Sequence, residues 1–195
     1  MEIVFIVILI SVFLVLIISI SWANYKGSPW VPTTFKMVHK MLDLAEIQPD
    51  ELVYELGCGD GRIAVIAARK YQARVLGIEL NPFLWLWCQL VITIFGVRSR
   101  VKVVLGNFYK QDLLDADVVV CYLLPKTNKE LEGKLLRELR PGTRVVSNTF
   151  LFYQVRLSKR DGKALLYIFS PEHTQVEFIK NQLKSSARKE FERDN

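Results

Sequence analysis

Cysteine and histidine are scarce in this chain, and their scarcity sets the first limits. The three cysteines, Cys58, Cys88 and Cys121, are odd in number, widely spaced and set among apolar or glycine residues. That pattern excludes a disulfide framework and a zinc site and points to free thiols in a reducing compartment. The two histidines, His39 and His173, stand apart from any cluster with ligand spacing, so no metal is expected. Internal repeats and low-complexity tracts are absent, which excludes a solenoid or a disordered chain. With 195 residues the sequence is too short for two full catalytic domains, so a single core carries the function.

What is abundant is apolar residues, and they are unevenly placed. Ile3 to Ile20 contains only Ile, Val, Leu and Phe apart from Ser11 and Ser19. A helix of that length reaches about 27 Å, close to the hydrocarbon thickness of a bilayer. Met1 and Glu2 lack the Lys or Arg that opens a signal peptide, and no small-x-small cleavage site follows, so a retained transmembrane anchor over residues 1–25 is expected. Trp22 and Tyr25 fall where an interfacial aromatic belt sits, and Lys26, Lys36 and Lys40 come next. This asymmetry predicts a single-pass membrane protein, its N-terminus outside and its catalytic domain in the cytoplasm. The net charge of +6 and pI near 9.2 suit a domain beside an anionic leaflet. The same charge attracts nucleic acid or acidic protein; the bilayer is the expected partner, and nucleic acid is not.

Residues 26–50 read as a linker and a first helix. Gly27-Ser28-Pro29-Trp30-Val31-Pro32 disfavours helix, Thr33 or Thr34 can cap one, and Phe35, Val38, Met41, Leu42 and Ala45 recur at helical spacing. Beyond Asp50 the elements alternate. Strands are expected at 52–56, 74–79, 101–105, 117–122 and 144–149, and helices at 62–71, 83–95 and 126–139. The alternation implies an α/β domain over residues 51–195 with a mostly parallel sheet covered on both faces. Segments 152–157 and 164–169, flanking Lys159 to Lys163, read as a hairpin that adds antiparallel edge strands. Residues 174–191 read as an amphipathic helix. The 83–95 segment is more apolar than a surface helix of such a domain; it either packs under the linker and anchor or presses Trp85 and Trp87 into the membrane interface.

The chemistry is concentrated in Glu55-Leu56-Gly57-Cys58-Gly59-Asp60-Gly61-Arg62, between a strand and a helix. Alternating glycines permit a tight turn and close approach of a ligand to backbone. Dinucleotide sites use G-x-G-x-x-G around a pyrophosphate, which acidic Glu55 and Asp60 would repel. A sulfonium and an ammonium would instead be attracted, so the charges favour S-adenosyl-L-methionine over NAD. Glu79 closes the next strand and is placed to accept from both ribose hydroxyls. At later strand ends, Asn107 and Phe108 are placed for adenine, and Tyr122-Leu123-Leu124-Pro125 lies toward the methyl donor.

Pro29 to Thr33, Glu55 to Arg62, Gly77 to Pro82 and Arg144 to Phe150 together carry a family likeness. The block from Pro29 to about Phe150 resembles class I S-adenosylmethionine-dependent methyltransferases. Within them it is similar to the mitochondrial protein-lysine methyltransferases of the adenine nucleotide translocase and the ATP synthase c subunit, and to their archaeal relatives. The resemblance implies a Rossmann-like fold and a cofactor site lined by Thr33, Glu55, Gly57, Gly59, Asp60, Gly61, Glu79, Asn107 and Phe108. Asn107 departs from the Asp often found at the adenine position. Tyr122 and Pro125, with Leu124, are the candidates for an acceptor channel, where an aromatic face stabilises a methylated ammonium. The implied reaction is methyl transfer to lysine ε-amines of a membrane-associated protein. A small or lipid-like acceptor, and a non-catalytic cofactor-binding scaffold, remain as alternatives.

Overall fold

A computed structural model describes residues 3–13 and 30–169. Residues 3–13 form helix α1, and every large apolar side chain on it is 52–78% exposed. Among the described residues no helix is long and apolar enough to cross a membrane. Most of the expected Ile3 to Ile20 span, the linker to Pro29, His173 and the helix expected at 174–191 lie outside the described residues.

Helix α2 (Phe35–Leu44) begins at Thr34, whose side chain accepts from the Met37 N–H at 3.3 Å. It buries Val38, Met41 and Leu42, as its spacing predicts, but leaves Phe35 exposed beneath the Arg62 guanidinium, 5.3 Å from the ring centroid. Then strands and helices alternate: β1 (Leu52–Leu56), α3 (Arg62–Lys70), β2 (Arg74–Glu79), α4 (Pro82–Ile94), β3 (Val101–Leu105), a short 3-10 turn (Phe108–Lys110), β4 (Val118–Cys121), α5 (Pro125–Glu138) and β5 (Arg144–Asn148). Strands β6 (Leu157–Asp161) and β7 (Ala164–Ile168) follow. The seven-stranded sheet runs β3-β2-β1-β4-β5-β7-β6, with β7 antiparallel to β5 and to β6 and the other pairs parallel.

Central strands read as unbroken apolar runs because both sheet faces are covered. On one face α2, α3 and α4 contribute Met41, Ala64 and Ile92 to a core with Val53 and Val120. On the other, Leu131 and Leu135 of α5 join Leu56, Phe152 and Tyr167. The strand expected at 117–122 is one residue shorter at each end, and just before it the Asp117 carboxylate accepts from the Leu52 N–H at 2.8 Å.

One element differs in position. The hairpin strand expected at 152–157 lies at 157–161, and the turn is the two residues Gly162 and Lys163, with Gly162 at φ 60. Glycine at the first of the two turn positions suits such a tight turn, which demands the positive φ that glycine tolerates. Phe152 and Val155 are apolar because they plug the core from a loop, while β6 is an exposed, polar edge strand. Phe152 also packs edge-on to Tyr167 at 5.3 Å, and its N–H donates to the Tyr167 hydroxyl at 3.1 Å.

Tyr167→Phe keeps that packing but strands a buried N–H. It is expected to destabilise the fold by about 1–3 kcal/mol, read as a lower urea midpoint at unchanged slope.

Candidate functional site

Strands β1, β2, β3 and β4 all end at one edge of the sheet, and the chain order reverses direction between β1 and β4. That reversal opens a crevice where open parallel sheets bind ligands. The glycine loop leaves β1 there. The Gly57 and Cys58 N–H groups both donate to the Ile78 carbonyl (2.9 and 3.1 Å), and the Gly61 N–H donates to the Cys58 carbonyl at 2.9 Å. Gly57, Gly59 and Gly61 all have positive φ, at 78, 54 and 77, a region costly for side chains with a Cβ.

Glu79 locks this loop. It is buried; one carboxylate oxygen accepts from the Gly59 N–H and the other from the Asn81 N–H, both at 2.8 Å. Burial raises its pKa above the ordinary carboxylate value, against the opposing pull of the Asn81, Gly59 and Leu80 N–H groups. A carboxylate has about four lone-pair sites, so acceptor capacity remains for hydroxyls. Glu55 is in a different state. It is 3% exposed, and its Oε2 has no hydrogen-bond partner among the described residues. Burial pushes its pKa well above the ordinary carboxylate range, the neighbouring Cys88, Asp60 and Glu79 add to the rise, and the Ala64 N–H opposes it. An orphaned buried carboxyl oxygen is costly unless something pairs with it, so the residues present fit a cationic group at this loop.

Asp60 is tied to its neighbour. Its carboxylate receives the Arg62 guanidinium as an ion pair, with Nε at 3.0 and 2.9 Å from its two oxygens. The same guanidinium donates from Nη1 to the Thr33 carbonyl at 2.7 Å. Buried Thr33 is thereby strapped to the glycine loop through Arg62, a residue that sequence reasoning gave only the start of a helix. Trp30 is the second residue missed. A Cβ on Gly59 would lie 2.8 Å from its indole ring, so the space opposite Gly59 belongs to Trp30, where a ligand had been expected. The signal for both was present in Pro29-Trp30-Val31-Pro32-Thr33, but a contact between segments so far apart in the chain has no local signature.

The later strand ends are placed less directly. The Gly106 N–H donates to the Glu79 carbonyl at 2.8 Å, bringing the end of β3 beside that of β2. Asn107 caps the following 3-10 turn, its Oδ1 accepting from the Tyr109 N–H at 2.9 Å, and Phe108 lies against Tyr109 with centroids 4.6 Å apart. Both side chains thus have local structural partners. After β4, Leu123 packs where a Gly57 Cβ would meet it at 3.4 Å, and Pro125 opens α5. Tyr122 stacks on Phe150, with centroids 6.4 Å apart and planes inclined by 17°. Phe150 follows Thr149, whose φ is 71. The three cysteines are buried thiols. A hydrogen bond with Cys88 and burial raise the Cys58 pKa well above its usual value, and burial pushes Cys121 up to about 12.

Residues 55–159 match the family described as the ANTKMT methyltransferase domain. A protein-lysine N-methyltransferase of Saccharolobus islandicus (strain REY15A) is 43% identical over 123 residues, 63% of this chain and 76% of that protein. The human lysine N-methyltransferase of the ATP synthase c subunit is 33% identical over 124 residues, 64% of this chain and 52% of that protein, so the chain spans about half its length. An RNA methyltransferase from Salinibacter ruber, solved with S-adenosyl-L-homocysteine, superposes with a TM-score of 0.64 at 37% identity, covering 70% of this chain and 91% of that one.

The glycines differ in what presses on them. At Gly61 a Cβ would collide with the buried Cys88 sulfur, whereas at Gly59 it meets the half-exposed Trp30. Both Ala variants carry backbone strain of about 1–2 kcal/mol. Gly61→Ala is expected to cost about 1–3 kcal/mol more through overpacking, measurable as the larger drop in urea midpoint; equal drops would remove Cys88 as the cause.

Proposed function

Because the chain belongs to the ANTKMT methyltransferase domain family, with S-adenosyl-L-methionine as its methyl donor, we propose that it methylates lysine ε-amines of a membrane-associated protein. The observation that carries the lysine is the 43% identity to the archaeal protein-lysine N-methyltransferase across 76% of that protein. The membrane target and a cytoplasmic catalytic domain behind an N-terminal anchor rest on the apolar run Ile3 to Ile20 and the charges that follow it.

When bound, the cofactor supplies an electrophilic methyl group on a sulfonium. The protein's part is to hold and orient. Glu55 offers a buried counter-charge, Glu79 fixes the loop and keeps acceptor positions for ribose hydroxyls, and Gly57, Gly59 and Gly61 supply the positive-φ backbone that the loop needs. Asp60, through Arg62, holds Thr33 against the loop, and Asn107 and Phe108 border the adenine side. Tyr122, with Phe150 stacked behind it, and Pro125 form the wall along which a lysine side chain reaches the site. Alignment of amine and donor supplies several kcal/mol without a dedicated general base.

Full-length protein incubated with radiolabelled S-adenosyl-L-methionine and membranes lacking the enzyme is expected to label a discrete protein band, mapped by mass spectrometry to lysine. The Salinibacter RNA methyltransferase favours RNA as the second reading. Nuclease-sensitive label would establish that reading instead, and label extracted with lipid would exclude both.

Glu55 gives a pH signature. Its pKa in the folded protein is raised, and a bound cation favours the ionised form, so binding releases a proton. Cofactor affinity is therefore expected to rise with pH from the ordinary carboxylate value to the raised one and level off above it, by at most about tenfold per unit. In calorimetry Glu55→Gln is expected to lose that slope and to bind more weakly above the window. A slope that survives the substitution assigns the proton to another group.

A further inference from the structure

Helix α4 is built the wrong way round for a helix facing water. No charged residue occurs from Pro82 to Val97, and Leu86, Trp87, Leu90 and Ile94 are 49–70% exposed. Its polar side chains already have partners. Trp85 Nε1 and Gln89 Nε2 both donate to the Val103 carbonyl at 3.1 Å, and the Thr93 hydroxyl donates to the Gln89 carbonyl at 2.6 Å. With Trp30, the outward side of the helix lines an apolar groove of about 760 Å³. Apart from Arg98 at its margin, this surface offers no free polar side chain, which suits contact with hydrocarbon and headgroups.

We infer that the α4 face and Trp30 seat on the lipid bilayer, holding the glycine-loop edge of the domain at the membrane surface. The inference rests on reading Ile3 to Ile20 as a membrane anchor. Two observations select lipid over another occupant. The first is tether length: nine residues, 21–29, separate the apolar run from Trp30, a reach of about 36 Å at most. The bilayer surface at which the run ends therefore lies within that distance of the groove. The second is charge. At the C-terminal end of α4, Arg98 lines the groove and the Arg69 guanidinium lies over the Phe95 ring at 5.7 Å. Both are exposed, and neither forms an ion pair among the described residues. An apolar face with cations at its margin fits an anionic leaflet.

The test uses the full chain carrying a nitroxide on Leu90→Cys or, separately, on Trp87→Cys, with Lys129→Cys on α5 as the label on the opposite layer. Each protein is reconstituted in vesicles of phosphatidylcholine and phosphatidylglycerol and first floated on a density gradient. Labels at 87 and 90 are expected to be reached by oxygen and shielded from a water-soluble nickel chelate. Their oxygen-to-nickel accessibility ratio should be severalfold above that at 129, and should fall when phosphatidylglycerol is omitted. Flotation with labels at 87 and 90 as open to nickel as 129 would overturn the seating while leaving the anchor intact. Labels immobilised and closed to both reagents would show that protein, either residues 14–29 or a second copy, covers the face, and would also overturn it. Failure to float would remove the anchor and the seating together.

Discussion

The hydrogen bond from the Gly59 N–H to the buried Glu79 carboxylate is the constraint on which the site is assembled. It joins the loop after β1 to the end of β2, while the other carboxylate oxygen takes the Asn81 N–H. Asn81 in turn caps α4, its side chain accepting from the Phe83 N–H at 2.9 Å. One side chain therefore fixes the glycine loop, the tip of its own strand and the first turn of the next helix. Such bonds to a charged acceptor are the strong ones in protein interiors. They hold the loop in shape before any ligand arrives, so less ordering remains to be done on binding.

Two carboxylates one strand apart thus have opposite conditions. Glu79 is held by a backbone donor on each oxygen and serves architecture first; Glu55 is buried with an oxygen unpartnered among the described residues. Asp60, which the loop sequence presented as a third equivalent acid, has its compensation already in Arg62. The electrostatic argument for a cationic cofactor therefore narrows from a cluster of acids to a single residue.

The parallel half of the fold was legible because its signals are local. Val- and Ile-rich runs between turn residues gave β1 to β5, and the limits of β2 and β3 were placed at their observed residues, since turn residues bracket them. The edge hairpin was displaced because apolar character was taken for strand character: Phe152 and Val155 are apolar yet fill the core from a loop, and β6 is a strand yet reads Leu-Ser-Lys-Arg-Asp. Of the site, the glycines and the two glutamates could be named because strand ends and tight turns constrain residue type. The strap from Arg62 to Thr33 and the indole over Gly59 could not, since they join segments whose proximity exists only once the sheet has formed. Phe150 behind Tyr122 was hidden for the same reason.

Two side chains of α4 also bear on the margin of the sheet. An unpaired strand at a sheet margin is a template on which a second chain can add a strand and begin to aggregate. At the β3 margin, Trp85 and Gln89 occupy the Val103 carbonyl that such a chain would need. At the opposite margin, β6 turns Lys159, Arg160 and Asp161 to the solvent, and Lys40 pairs with Asp161 from α2. One border is closed by hydrogen bonds and the other by charge. Both margins of the sheet are thereby made poor templates for a strand from a second copy.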